Sequence, residues 1–150
     1  MTATPRRIGI VCYPSMGGSG IVATVLGQEL AQRGHQIHFI SYDLPHRLVE
    51  TGENVFFHHV NVPIYPVFRF PPYTLALATE MVRLAREHQL EIFHVHYAIP
   101  HSSSALLARL ILCQQDLAHP RVVTTVHGTD SELVGQEPSY KTVVEFSLAM

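Results

Sequence analysis

Apolar and polar positions run along this chain in alternating blocks of two kinds. Ile8 to Tyr13 is apolar throughout, as in a strand buried on both faces of a parallel sheet. Ile21 to Arg33 carries Val22, Val25, Leu26 and Leu30 at helical spacing, and Gly34 supplies a stop. Gln36 to Ser41 predicts a second strand, so the first three elements form a right-handed βαβ unit. Val55 to Val62 predicts a third strand. Thr74 is expected to cap a helix reaching His88, with Leu75, Ala78, Met81, Val82 and Ala85 on its apolar face. A short strand, Glu91 to His96, precedes a helix over Pro100 to Cys113 that buries Leu106, Leu107, Leu110 and Ile111. Arg121 to His127 reads as a further strand closed by the turn Gly128-Thr129-Asp130, and Pro138 to Met150 as a helix.

This alternation is the pattern of an α/β fold with a doubly wound, mainly parallel sheet, Rossmann-like in architecture. Ligands of such sheets bind beyond the carboxyl ends of the strands. Gly17 to Gly20, Tyr97 and His127 to Asp130 are therefore expected to meet at one rim. Two connections are irregular: Asp43 to Asn54, and Pro63 to Tyr73. The second holds four prolines among aromatics and is expected to pack down or shape a pocket.

Composition narrows the function classes. At 150 residues the chain is one domain, and 47% apolar residues supply a packed core. A net charge of −2 gives no basic face for nucleic acid. No apolar run approaches the ~20 residues of a membrane span, and no secretion signal precedes the first strand. Cys12 and Cys113, far apart and each in an apolar setting, do not make a disulfide framework, so a cytoplasmic location is expected.

The candidate chemistry begins at Cys12-Tyr-Pro-Ser-Met-Gly-Gly-Ser-Gly20, a glycine-rich turn between strand and helix. Glycines let the backbone turn tightly and approach a ligand, and the helix start offers free N–H groups to an anion. A P-loop is excluded because Lys141 is the only lysine and Ile21 follows Gly20. The spacing also departs from the dinucleotide fingerprint, although Asp43, after the second strand, stands where a ribose contact would be. His127 at a strand end can exchange hydrogen bonds near neutral pH, with Asp130 orienting it or capping the turn. His94 and His96 share one strand face, so a metal site with His127 is conceivable. No familiar metal-ligand spacing accompanies them, and hydrogen-bonded packing is the favoured reading. Ser102-Ser103-Ser104 lacks the glycines of a nucleophile elbow.

Several stretches together make a specific pattern: the glycine turn from Ile10 to Gly20, Arg33-Gly-His35, Phe70-Pro-Pro-Tyr73, His94-Val-His-Tyr-Ala-Ile-Pro-His101 and Thr124-Thr-Val-His-Gly-Thr-Asp130. In this order they resemble the N-terminal half of retaining GT-B glycosyltransferases, and more narrowly the branch that glycosylates L-malate at the first step of bacillithiol synthesis. The resemblance covers nearly the whole chain from Ile8 onward. It implies two Rossmann-like domains facing across a cleft, with residues 1–150 forming the acceptor side and the donor-binding C-terminal domain absent from this chain. The donor would be UDP-N-acetylglucosamine, with no metal or other cofactor required. Gly17, Gly18, Ser19 and Gly20 match the loop that touches donor phosphate and acceptor. Ser19, Tyr97 and Thr125 match acceptor-binding positions. His127 matches the histidine beside the transferred sugar, and Asp130 a supporting residue. The fragment alone is expected to be inactive, and its inner rim, covered by the second domain in that family, is expected to drive self-association.

One departure concerns the acceptor. Glu145 stands where related sequences carry arginine, and a dicarboxylate needs cationic partners. Arg47, Arg69, Lys141 or the second domain would have to supply them. Another acceptor, such as an inositol phosphate, and a stand-alone nucleotide-binding module using Asp43 are the alternative readings.

Overall fold

A computed structural model describes residues 4–48 and 53–150. Part of the irregular segment expected after Asp43, residues 49–52, lies outside the described residues. Five parallel strands form one sheet: β1 (Arg7–Val11), β2 (Gln36–Ser41), β3 (Val55–His59), β4 (Ile92–His96) and β5 (Arg121–Thr125), in the order β3-β2-β1-β4-β5. The helices are α1 (Gly18–Gln32), α2 (Tyr73–His88), α3 (Ser103–Gln114), the short α4 (Gly128–Glu132) and α5 (Pro138–Ala149).

Strand alternation assigns the two faces. Ile8, Ile10, Cys12, Ile37 and Phe39 bury one face against Ala23 of α1. Val11, Ile40, Phe93 and Val95 bury the other against α2 and α3, through Leu77, Met81, Leu84, Ala105, Ala108 and Leu112. The sheet is thus doubly wound, as the alternation of blocks predicts.

Ala78, Met81, Val82 and Ala85 of α2 and Leu106 of α3 are buried as expected, but the buried face of α1 differs. Val22 and Val25 of α1 are 50% and 43% exposed, and Ala23, Thr24 and Gly27 face the sheet instead. Phe39 and Ile10 stand up from the strands, so only small residues let α1 approach. A Cβ on Gly27 would lie 2.3 Å from Phe39 Cζ and 2.9 Å from Ile10 Cδ1. Gly27→Ala is therefore expected to cost about 1–3 kcal/mol through overpacking, read as a lower midpoint in urea unfolding. An unchanged midpoint would show that the core yields freely.

Leu75 and Leu110 are likewise exposed, and Leu77, Leu84 and Leu112 take their places in the core. Pro72, not Thr74, occupies the position before α2. Residues Ala98–Ser102 form a kinked turn rather than the start of α3, because Ile99, before a proline, is extended (φ −126, ψ 140). Strand β3 ends at His59, and Val60 leaves the sheet after its N–H donates to the Ser41 carbonyl at 2.8 Å. The aromatic loop does not pack down: Ile64, Tyr65, Val67, Phe68 and Phe70 are all exposed. Cys12 is buried, with its thiol pushed up to about 12 by that burial, whereas Cys113 is exposed, contrary to expectation.

Candidate functional site

Sheet register gathers the predicted residues at one rim. Val11 pairs with Val95, and His96 with Thr125, so the chain leaves β1, β4 and β5 at the same level. The strand order reverses direction between β1 and β4, which places the crevice of a parallel sheet there. Tyr13 emerges on one side of it and Tyr97 on the other, with ring centroids 5.1 Å apart. Tyr97 packs in turn on His127 at 4.8 Å. The glycine turn and the His127 segment are thereby joined through two tyrosines.

The turn itself is shaped by close contact more than by unusual dihedrals. Gly17 is extended (φ −76, ψ 169) and precedes α1. A Cβ on Gly20 would lie 2.5 Å from the Ser15 carbonyl oxygen, so only glycine lets the turn close. A Cβ on Gly18 would meet nothing within 4 Å, leaving that backbone open to a ligand. Among the described residues no side chain caps α1, and no acidic residue stands in its first turn. Its positive end therefore faces the crevice uncompensated. Ser19 is buried beside Gly20.

The His127 side is locked by a carboxylate. Asp130 is buried; Oδ1 accepts the Ala98 N–H at 3.0 Å and Oδ2 the His127 N–H at 3.0 Å. One side chain thus ties the segment after β4 to the segment after β5. Tyr97 has φ 85, a conformation rare for a residue with a Cβ, and its N–H donates to the Thr125 carbonyl at 3.0 Å.

A file of imidazoles runs beneath. His94 and His96 stack on one strand face at 5.0 Å, and His96 stacks on His127 at 5.3 Å. His96 Nδ1 and His127 Nε2 share a hydrogen bond at 3.1 Å. His94 Nε2 and the Thr125 hydroxyl share another at 2.8 Å. His101 Nδ1 donates to the His96 carbonyl. Burial holds His96 down to about 3, helped by the neighbouring His94, His127 and His101. Burial likewise holds His101 down to about 4, against the hydrogen bond to the His96 carbonyl, and it lowers His94. Neutral imidazoles are the stable form of all three at pH 7. His94, His96 and His127 are thus hydrogen-bonded packing residues, the favoured reading, and among the described residues the histidine nitrogens that converge closely are those of His38, His58 and His88.

Sequence reasoning gave Tyr13 and His101 no role of their own, and it read His96 correctly as a hydrogen-bonded packing residue. Tyr13 contacts His101 at 4.5 Å and Tyr42 at 6.4 Å, and burial together with the neighbouring Tyr42, Tyr97 and Asp130 pushes its phenol up to about 12. The signal for Tyr13 was its place two residues past the end of β1, at the start of the glycine turn. Asp43 uses Oδ1 to accept the Leu44 N–H at 2.8 Å, closing its own turn. Of the candidate cations, Lys141 pairs with Glu145 at 3.9 Å, and Arg69 lies 5.4 Å over the Phe70 ring. A cavity of about 710 Å³ opens at the opposite end of the sheet, among Arg6, Arg7, Glu91 and Arg121, away from this rim.

A parallel α/β domain with an uncapped helix start, a polar rim and a switch-point crevice belongs to the class of open α/β domains whose ligand crevice lies beyond the strand ends. Solved structures with the same fold include the MurG of Acinetobacter baumannii (TM-score 0.60, 16% identity, covering 86% of this chain and 39% of that one) and a glycosyltransferase from Rickettsia africae (TM-score 0.54, 13% identity, 90% and 35%). The signature of Glycosyltransferase Family 4 matches residues 16–148, and the chain belongs to that family. It is 49% identical over 142 residues to the N-acetyl-alpha-D-glucosaminyl L-malate synthase of Bacillus anthracis. That match covers 95% of this chain and 36% of the relative, so the chain spans about a third of the relative's length. No helix among the described residues is long and apolar enough to cross a membrane.

Proposed function

We propose that this chain is the acceptor-side domain of an enzyme that moves N-acetylglucosamine from UDP-N-acetylglucosamine to the hydroxyl of L-malate, with retention of the α configuration. The observation that carries the substrate assignment is the 49% identity to the malate synthase across 95% of the chain. The rim supplies a matching mechanism. A second domain across the crevice holds the nucleotide, and the first N–H groups of α1 meet its phosphates. Negative charge grows on the UDP leaving group in the transition state, where preorganised N–H donors stabilise it most. Gly18 and its neighbours present those donors without side chains in the way. The Tyr97 and Thr125 hydroxyls hold malate, and the ring of His127, fixed by His96 and by the Asp130 tether, positions sugar and acceptor. No metal is assigned to the transfer step. The reaction belongs in the cytoplasm, where unpaired Cys12 and Cys113 are stable.

The test is acceptor choice by the full-length enzyme. Glucosaminyl-malate is the expected product, and turnover of inositol phosphate with none of malate would overturn the reading. In the same assay His127→Ala is expected to lower kcat/KM by about 100-fold or more. Tyr97→Phe is expected to raise the KM for malate about 10-fold, the loss of one hydrogen bond. A Tyr97→Phe enzyme with unchanged KM would remove that hydroxyl from the acceptor site.

A further inference from the structure

We propose that His38, His58 and His88 form a binding site for one divalent transition-metal ion of the Zn²⁺ class, away from the transfer site. The three come from separate elements. His38 lies on β2 and His58 on β3, where Ile40 pairs with His58, so the two rings are diagonal neighbours on one sheet face. His88 is the last residue of α2, which packs on that face. One nitrogen from each imidazole lies within 4.8 Å of the other two. The ring centroids are 4.5 Å apart for His38 and His88, 5.1 Å for His38 and His58, and 5.3 Å for His58 and His88.

The hydrogen bonding of this cluster is incomplete. His38 is only 2% exposed, and its Nδ1 faces His58 Nε2 at 2.9 Å. Its Nε2 is also buried and, among the described residues, has no hydrogen-bond partner. The His38–His58 contact uses one nitrogen of each ring and leaves His88 out, whereas a metal ion can bond one nitrogen of all three.

Charge and access favour a cation. The C-terminal end of α2 carries partial negative charge beside His88. Glu80 and Glu87 act on His58 together with Arg83, which pairs with both, so two carboxylates face one guanidinium. His58 and His88 are half-buried and β3 is the edge strand, so an ion can enter from solvent. Three neutral imidazoles suit Zn²⁺, Cu²⁺ or Ni²⁺ and not Mg²⁺ or Ca²⁺. Tetrahedral Zn–N bonds of about 2.0–2.1 Å bring ligand nitrogens to about 3.3 Å from one another. Rotation of the two outer rings supplies the closure, and water fills the fourth position. The bound ion would tie the edge strand and the end of α2 to β2.

The experiment titrates metal-stripped full-length protein with ZnCl₂ alone by calorimetry, and with CoCl₂ alone by visible absorption. Expected results are one Zn²⁺ per chain, a melting temperature several degrees higher in excess Zn²⁺, no response to MgCl₂, and the d–d bands of tetrahedral Co²⁺. His58→Gln and His88→Gln, both outside the transfer machinery, are each expected to weaken Zn²⁺ binding at least 10-fold and to abolish the Co²⁺ bands. Glycosyl transfer without added metal is expected to stay unchanged in both. Absence of stoichiometric Zn²⁺ binding overturns the proposal, as does binding that persists undiminished in the double variant.

Discussion

Asp130→Ala is expected to destabilise the domain by about 3–5 kcal/mol, the largest effect of any single substitution at the rim. The carboxylate accepts two backbone N–H groups from different loops, Ala98 and His127, each at 3.0 Å, in a buried setting. Hydrogen bonds to a charged acceptor contribute about 1.5–3 kcal/mol each, and truncation strands both donors away from water. Asp130→Asn keeps the shape and one good acceptor but turns an NH₂ toward the second N–H, so about half the loss is expected. The wild-type residue also holds Tyr97 against His127. The surviving folded fraction of either variant should therefore show impaired transfer in the full-length enzyme. Denaturant melts of the three proteins read the stability directly. A change below about 0.5 kcal/mol for Asp130→Ala, the scale of an ordinary surface substitution, would mean that the tether is incidental.

Acid is the second large lever. Folding holds His96 at about 3 and His101 at about 4, against an ordinary value of 6.5. Burial is the first cause for both, and neighbouring imidazoles add to it for His96. Between about pH 4 and 6.5 the unfolded chain binds protons at these two rings that the folded chain does not. Stability therefore rises with pH across that window, is complete above 6.5, and falls as the solution is acidified toward 4. Each pH unit removes about 1.4 kcal/mol per histidine, so moving from pH 7 to pH 5 should remove about 4 kcal/mol from the pair. That is a large share of the 5–15 kcal/mol typical of a domain. Urea midpoints at pH 5 and 7 measure it. His101→Gln, which cannot take up the proton, is expected to flatten the dependence by about a third, because His38, held down to about 4 by burial, adds its own share beside His96. Equal midpoints at the two pH values would show that water reaches these rings.

The rim was legible because its residues sit at strand ends, and strand ends follow from apolar blocks. Tyr97 and His127 could be placed at one edge without coordinates for that reason. The faces of the helices were less legible. Val22 and Val25 have the spacing of a buried stripe, yet Ala23 and Gly27 face the sheet because Phe39 and Ile10 occupy the space larger residues would need. Periodicity reports which positions share a face; the height of the opposing side chains decides which face can come close.

The histidines show the same division. His94 and His96 share a strand face by the two-residue repeat alone, and the structure stacks them so. Nothing in spacing joins His38 to His58 and His88, which meet only through the β2–β3 register and the docking of α2. By itself the amino-acid order determined the α/β class, the parallel alternation and the rim where the strand-end residues gather, since burial and chain period are local properties. Tertiary structure alone decided which imidazole faces which partner and which ones lose their water, because those outcomes depend on register and packing between segments far apart in the chain.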